Sequence, residues 1–345
     1  GADGASSKVR NIMGFDQEDL DYDKNWLVVD VKLNVENTLP RFAAQICDPK
    51  RICTYIPSHL PFRRWEFILL EGESKDDMLK EKKIQELVSP WLKPEEYDII
   101  RAAVYRFHSL MTKDFRKDNC FLIGDAAHQS PPFMGQGMMS GYRDSLNLSW
   151  KLISVIKNSF PSALLDSFEE ERKPHSRFVV DGSAAIGKLM SAYADAVERN
   201  QPSDVPQELI DRGYGSFALP PLQNGILFRG KSDSTSMAGS IFPQPLLMEG
   251  MECNERLDAL LGKGFCIVSK KEIDLNSEQK EFYEKINSKF IVLEESILNS
   301  SPSVKEVMKK NEVYILRPDH HIFGSTSDKI TFDDLTEDLK ERLNF

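Results

Sequence analysis

The feature that most constrains the fold is the 32-residue run at 121–152, FLIGDAAHQSPPFMGQGMMSGYRDSLNLSWKL. An apolar strand candidate, Phe121-Leu122-Ile123, stops at Gly124-Asp125, where a carboxylate can accept hydrogen bonds from a polyol, as acidic residues at strand ends do for riboses. Pro131-Pro132 then fixes an extended loop, and Gly135-Gln136-Gly137 lets backbone amides approach a ligand without Cβ obstruction at the start of a helix. Amides at a helix N-terminus favour negative charge. A lone Gly-x-Gly reads equally well as a permissive turn, so the weight rests on the whole run. Beyond it Leu146, Trp150 and Ile153 form one stripe and Leu148, Leu152 and Val155 another, which predicts a helix buried on two sides. A second helical stretch runs from Ala163 to Val197, with the stripe Ile186, Leu189, Met190, Tyr193 and a kink or restart expected at Pro174.

Strand-rich chain precedes this run, at 26–33, 41–47, 52–56 and 65–70, with Asp48-Pro49-Lys50 as a turn, and antiparallel sheet is the natural reading. Residues 198–245 read as an irregular connector. From Arg256 onward strands (265–269, 290–293, 313–316, 322–324) and helices (277–288, 302–310, 332–343) alternate as βαβαββα, which suits a small separate α/β domain. The 345 residues carry 44 basic and 54 acidic side chains, a formal charge of −10, with 41% apolar and 28% charged residues, the profile of a globular chain of two or three domains. No Lys/Arg-dense stripe is present, which argues against a nucleic-acid scaffold. The longest apolar stretches fall far short of the ~18 residues a membrane span needs.

Five cysteines, Cys47, Cys53, Cys120, Cys253 and Cys266, are odd in number and lack C-x-x-C spacing, so neither a disulfide framework nor a zinc site is expected and a reducing, cytoplasmic setting fits. Cys47 and Cys53 flank a turn and read as a reduced pair, His128 as a packing residue, and adjacent His320-His321 as solvent-facing turn residues that share no metal. Arg63, Arg64 and His108 fall on or near the strand region and read either as contacts for an anionic substrate or as exposed strand charges.

The 121–152 run resembles the GD motif of the flavin-dependent aromatic hydroxylases, most of all the 3-(3-hydroxyphenyl)propionate hydroxylase group. Gly1-Ala-Asp-Gly-Ala-Ser-Ser-Lys-Val-Arg10 is similar to that family's DG motif. Cys47-Asp-Pro-Lys-Arg-Ile-Cys-Thr-Tyr55 and Arg63-Arg-Trp-Glu-Phe67 resemble its substrate-domain strands, Leu165-Asp-Ser-Phe-Glu-Glu-Glu-Arg-Lys-Pro-His175 its post-motif helix, and Val313-Tyr-Ile-Leu-Arg-Pro-Asp319 its carboxyl-terminal domain. The resemblance implies a mixed α+β and α/β chain: a p-hydroxybenzoate-hydroxylase-like FAD-monooxygenase fold with a thioredoxin-like domain lacking C-x-x-C. It divides the chain into FAD- and substrate-domain residues 1–160, a helical segment and connector 161–240, and the thioredoxin-like domain 241–345.

The cofactor it implies is FAD, with NADPH or NADH as co-substrate, O2 and a small aromatic molecule as further reactants, and a homodimer as the expected assembly. Asp3 and Gly4 would lie near the pyrophosphate. Gly124 and Asp125 would hold the ribityl chain, and Pro132, Gly135, Gln136, Gly137, Met138 and Met139 would line the flavin ring. Met139 stands where many relatives carry Asn, so only backbone contact is expected there. No side chain is expected to act as a catalytic nucleophile, because the flavin carries the oxygen chemistry. The family's G-x-G-x-x-G βαβ unit does not precede Asp3, and Gly135-x-Gly137-x-x-x-Gly141 is one residue too long to replace it. The chain therefore reads as the carboxyl-terminal portion of a phenol hydroxylase missing its N-terminal Rossmann unit, with weak or no flavin retention alone. A hydroxylase of polyketides or fused aromatics, and a non-enzymatic binding or structural module, are the other readings.

Overall fold

A computed structural model describes the chain apart from residues 37, 159, 215–218, 231–236 and 247–255, and apart from the side chains at 202, 209, 212–214 and 300. Cys253 lies outside the described residues. The chain divides into two units, the first Gly1–Gly141 with Ser176–Phe217 and the second Tyr142–His175 with Ala218–Phe345.

The first unit is built on β1 (Gln17–Leu33), β2 (Ala44–Asp48), β3 (Arg51–Ile56), β4 (Phe62–Ile68), β5 (Tyr97–Thr112), a two-stranded pair β6 (Arg116–Lys117) and β7 (Cys120–Phe121), and β8 (His128–Gln129). The six-stranded sheet runs β2-β3-β4-β1-β5-β8, and all its pairings are antiparallel. Sequence reasoning found the first four strands but not β5, which pairs with β1 along most of both. Alternation assigns the faces. Leu27, Val29, Val31, Cys53, Tyr55, Trp65 and Phe67 pack with Met78, Ile84, Val88 and Leu92, contributed by the short helices α2 (Lys75–Met78) and α3 (Glu81–Val88), which follow α1 (Lys8–Ile12) in the chain, and the residues just after them. The other face places Trp26 and Ile52 against Ile186, Met190 and Ala194.

Those three residues belong to α5 (Ser167–Glu198), which follows α4 (Gly137–Asn158). The restart allowed for at Pro174 does not occur, since α5 runs unbroken through it. A proline inside a helix costs about 3 kcal/mol, and here Glu171 and Arg172, just before it, are locked in buried ion pairs while Val179 and Val180, just after it, are buried. The expectation that α4 is buried on two sides also fails. Leu148 and Trp150 are buried, but Leu146, Ile153 and Ile156 are 52%, 51% and 75% exposed. Periodicity marks apolar stripes without saying what covers them.

In the second unit β9 (Cys266–Ser269), β10 (Lys289–Val292), β11 (Val313–Leu316) and β12 (Ile322–Ser325) form a sheet ordered β10-β9-β11-β12. β10 is parallel to β9, β11 is antiparallel to β9, and β12 is antiparallel to β11. Ile267, Ile315 and Phe323 face Trp150, Phe282, Tyr283, Leu335 and Leu339. Cys266, Val268, Tyr314, Leu316 and Ile322 face Leu257, Leu261, Val304 and Met308. Each fully buried apolar side chain of this kind contributes roughly 1.5–3 kcal/mol.

A buried ionic cluster sits in this unit. Arg317 donates to both carboxylate oxygens of Glu171 at 2.9 and 2.7 Å and to both of Asp319 at 3.0 and 2.6 Å, Lys151 donates to Glu171 at 2.8 Å, and Asn147 reaches Glu171 at 2.6 Å and Asp319 at 3.2 Å. Burial opposes ionisation of Glu171, yet Arg317 and Lys151 hold it at about 2, while burial lowers Lys151 to about 8. Gly225 closes the cluster. At φ +87 its missing Cβ would lie 2.2 Å from Glu171 Oε1, and the next amide, Ile226 N, donates to that oxygen at 2.8 Å. Gly225→Ala therefore adds both a clash with a fixed carboxylate and backbone strain of roughly 1–3 kcal/mol. A fall in unfolding free energy of at least that strain is expected from urea titration, and an unchanged free energy would show that the site relaxes freely.

Candidate functional site

The first unit brings the two glycine-aspartate segments of the sequence together. Gly1 donates its amino group to the Phe121 carbonyl at 2.7 Å, and Ile123 N donates to Gly1 O at 3.0 Å. Buried Arg10, which sequence reasoning did not single out, then ties the segments from behind: it donates to Ala126 O at 3.1 Å and to Ala5 O at 2.8 Å, while Gln129 Nε2 reaches Ala5 O at 3.2 Å. An arginine inside a short helix carries no sequence signal of such a role, because both its acceptors are carbonyls.

Asp3 is committed within its own segment. Its carboxylate accepts from Ser7 Oγ at 2.6 Å, Lys8 N at 2.7 Å and Val9 N at 3.1 Å, and these bonds, the Ser7 hydroxyl first, hold it at about 2. It stays ionised and organises the start of α1, the role of an acceptor at a helix N-terminus. Gly4, in the left-handed region at φ +80, turns the chain there.

Gly124 also lies in the left-handed region, at φ +59, and packs on the first helical turns of α4: a Cβ on Gly141 would stand 3.3 Å from Gly124 Cα. The Asp125 carboxylate beside it is exposed. Pro132, Phe133 and Met134 form a single 3-10 turn that ends at Gly135, φ +64, whose amide donates to Pro132 O at 2.8 Å. Pro132, Gly135, Met138 and Met139 are exposed, and Gln136 and Gly137 are half-buried. The first-turn amides of α4, at Gly137, Met138 and Met139, have no acceptor within the helix. The candidate residues thus lie along one loop-and-helix-start surface, with Asp3 and Gly4 on the segment tied to it.

Beneath this loop is an aromatic layer. Phe133 meets Trp26 at 5.3 Å, Phe107 at 6.1 Å and Tyr22 at 5.7 Å, all edge-on, and Trp26 stacks on Phe107 at 5.8 Å. Gly187 of α5 makes room for it, since a Cβ there would lie 2.3 Å from the Tyr22 ring.

The remaining candidates fall elsewhere. His128 is buried and stacks on Phe115 at 5.8 Å. Cys47 and Cys53 pair with Ile52 and Ile46, one register step apart, so they point to opposite faces of the sheet, and both are free thiols. Arg63 is buried on the helix-covered face, and Arg64 grips Asp30 through two bonds of 2.6 and 3.1 Å, so neither is a simple exposed strand charge. His320 and His321 are not solvent-facing: His320 Nε2 lies 3.0 Å from Gly262 O, and His321 is buried with Nδ1 3.4 Å from Asp319. Among the described residues no group of three or more His, Cys, Asp or Glu side chains is placed to hold a metal ion, and no helix is long and apolar enough to cross a membrane.

A family described as FAD binding domain matches residues 1–183. The 3-(3-hydroxy-phenyl)propionate/3-hydroxycinnamic acid hydroxylase 2 of Burkholderia vietnamiensis is 29% identical over 303 residues, 84% of this chain and 55% of its own length. A probable NADH-specific resorcinol 4-hydroxylase of Rhodococcus jostii is 31% identical over 271 residues, 78% of this chain and 49% of its own. The chain spans about half the length of these curated relatives. Among solved structures, aklavinone-11 hydroxylase in complex with FAD and aklavinone superposes with a TM-score of 0.71 at 19% identity, covering 100% of this chain and 67% of that one. The fold is shared at that distance.

Proposed function

We infer, from the premise that this chain belongs to the FAD binding domain family, that it is the flavin- and substrate-facing portion of an aromatic monooxygenase that hydroxylates a phenolic ring with O2 and NADH or NADPH. The observation that carries this reading is the junction of the Asp3-Gly4 segment with the Gly124-Asp125 turn and the start of α4, held by Arg10. The residues fit the cofactor: an exposed carboxylate for polyol hydroxyls, glycines without Cβ atoms along the loop, and helix-start amides toward an electron-rich ring edge. When bound, FAD supplies hydride acceptance from the nicotinamide and oxygen transfer to the aromatic ring.

The chain's own part is placement and exclusion. Asp125 accepts hydrogen bonds from the ribityl hydroxyls. The amides of Gly137 to Met139 stabilise negative charge at the ring edge, and the Trp26, Phe107 and Phe133 layer keeps water from the sheet side. Asp3, already saturated by α1, acts by holding the shape of its segment and by its fixed negative charge.

Under this reading the FAD-binding and substrate portion is 1–160, the helical segment and connector 161–240, and 241–345 a thioredoxin-like module. The strand order β10-β9-β11-β12, with one parallel and two antiparallel pairings, supports that module. Cys266, buried in β9 with its thiol raised to about 12, has no redox role there. The free thiols Cys47, Cys53, Cys120 and Cys266 fit a reducing cytoplasm.

Titration of the chain with FAD, followed by flavin fluorescence anisotropy, tests the cofactor assignment. Asp125→Ala is expected to weaken FAD binding by roughly tenfold, the effect of removing one or two charge-assisted hydrogen bonds. Equal binding by both proteins would remove Asp125 from the site, and absence of binding at millimolar FAD would remove the flavin assignment from this chain.

A further inference from the structure

Two glycines lie in the interior of α5, Gly182 and Gly187, at positions where alanine would favour the helix. Each faces a side chain of the proline turn. A Cβ on Gly182 would stand 2.8 Å from Met134 Sδ, and a Cβ on Gly187 would stand 2.9 Å from Phe133 Cε2 and 2.3 and 2.7 Å from the Tyr22 ring. Phe133 and Met134 are consecutive in the chain, while their seats on α5 are separated by about 7.5 Å along the helix axis, at 1.5 Å per residue. A turn held at two such points cannot slide along α5. Its other side is fixed as well, because Phe133 is backed by Trp26 and Phe107 of the sheet, and the same cluster packs Ile186 and Met190 of α5 on Trp26. Gly135 N closes the turn onto Pro132 O at 2.8 Å, and α4 begins at Gly137.

We propose that Gly182 and Gly187 are positioning residues: by admitting Met134 and Phe133 to the surface of α5 they fix the proline turn, and through it the first-turn amides of α4 at Gly137, Met138 and Met139. What those amides hold rests on the flavin reading, and where they stand rests on the packing alone. The sign of the effect separates this role from ordinary helix energetics. Alanine raises helix propensity at either position and by that measure tightens the protein. A methyl that meets Phe133 from α5, with Trp26 and Phe107 behind the ring, instead drives the turn outward. Tyr22, the other ring beside Gly187, lines a surface cleft of about 690 Å3 and has room to yield, so the sheet stays formed while the turn loosens.

Amide hydrogen exchange of the 345-residue chain, read peptide by peptide, tests the seat without any flavin. In Gly187→Ala, exchange at 135–140 is expected to quicken about tenfold, the size of a modest overpacking penalty, while residues 27–31 of β1 keep the parent's protection. Gly182→Ala meets only the sulfur of a flexible side chain. It is expected to quicken the same segment less, and it carries the test if Gly187→Ala does not fold. Joining Gly187→Ala to Tyr22→Leu, which removes the ring carbons nearest the new methyl, is expected to restore most of the protection. Unchanged or slower exchange at 135–140 in both single variants, acceleration spread equally into β1, or no recovery in the double variant would overturn the proposal. Flavin titration of the same proteins keeps the two readings apart. FAD affinity is expected to fall about tenfold with the loosened turn, as a preorganised contact is lost, and unchanged affinity would overturn the step from the turn to the flavin. A quickened segment in a chain that binds no FAD would leave the seat standing and sink the flavin reading instead.

Discussion

Replacing Arg317 with methionine should cost this protein roughly 3–5 kcal/mol, the penalty for removing one partner from a buried ion pair. The side chain is fully buried and divides its donors between Glu171 and Asp319, so its loss leaves two carboxylates in a dry site with Lys151 as the remaining cation of the cluster. Calorimetry should show the melting transition displaced downward by several degrees, and a midpoint within a degree of the parent would show that water enters and solvates the pair. The pH dependence has a defined sign. The folded pKa of Glu171, about 2, lies below its ordinary 4.5, so the unfolded chain binds the extra proton between these values. The stability it contributes is complete above 4.5 and is lost as pH falls through about 2. His175, lowered from 6.5 to about 4 by burial and by Arg172, adds a second loss as pH falls across that interval. Arg317→Met should flatten the part of the acid limb below pH 4.5 and leave the His175 part in place.

Trp26→Ala should be as damaging to the first unit, at about 3–5 kcal/mol for a large buried aromatic. Trp26 is fully buried at the centre of the long β1 and touches both Phe107 on β5 and Phe133 in the proline turn. Its loss opens a cavity under the loop whose glycines we assign to the flavin, so FAD affinity should fall along with stability. Trp26→Phe, which retains most of the ring contact, should recover the larger share of both. A variant that loses stability while keeping FAD affinity would show that the loop is held by its own prolines and not by the layer beneath.

How far the molecule was legible in its sequence differed by element. The helices at 302–310 and 332–343 and the strand at 313–316 were read to the residue, because capping residues such as Ser301 and Thr331 and short β-branched runs mark them locally. β5 escaped, although it runs for 16 residues, since the β1 residues it pairs with lie 64 (Leu33 to Tyr97) to 95 (Gln17 to Thr112) positions away and long-range pairing leaves no local mark. The Gly124-Asp125 and Gly135-Gln136-Gly137 motifs were visible as spacing. Arg10 was not, nor was the cluster of Glu171, Arg317 and Asp319, because burial of a charge is decided by tertiary neighbours. His321 was misjudged for the same reason: the hairpin that should have shown it to solvent lies beside Asp319 and that cluster.

The contact between Gly141 and Gly124 sets two selective pressures against each other. A glycine inside a helix gives up about 1 kcal/mol relative to alanine, so any search for a sturdier variant is drawn to Gly141→Ala. Yet the added methyl would stand 3.3 Å from Gly124 Cα and press on the turn that presents Asp125. Stabilised descendants of this chain should therefore accumulate changes along α4 while leaving position 141 alone, and a lineage that did fill it would be one in which the turn no longer had anything to hold.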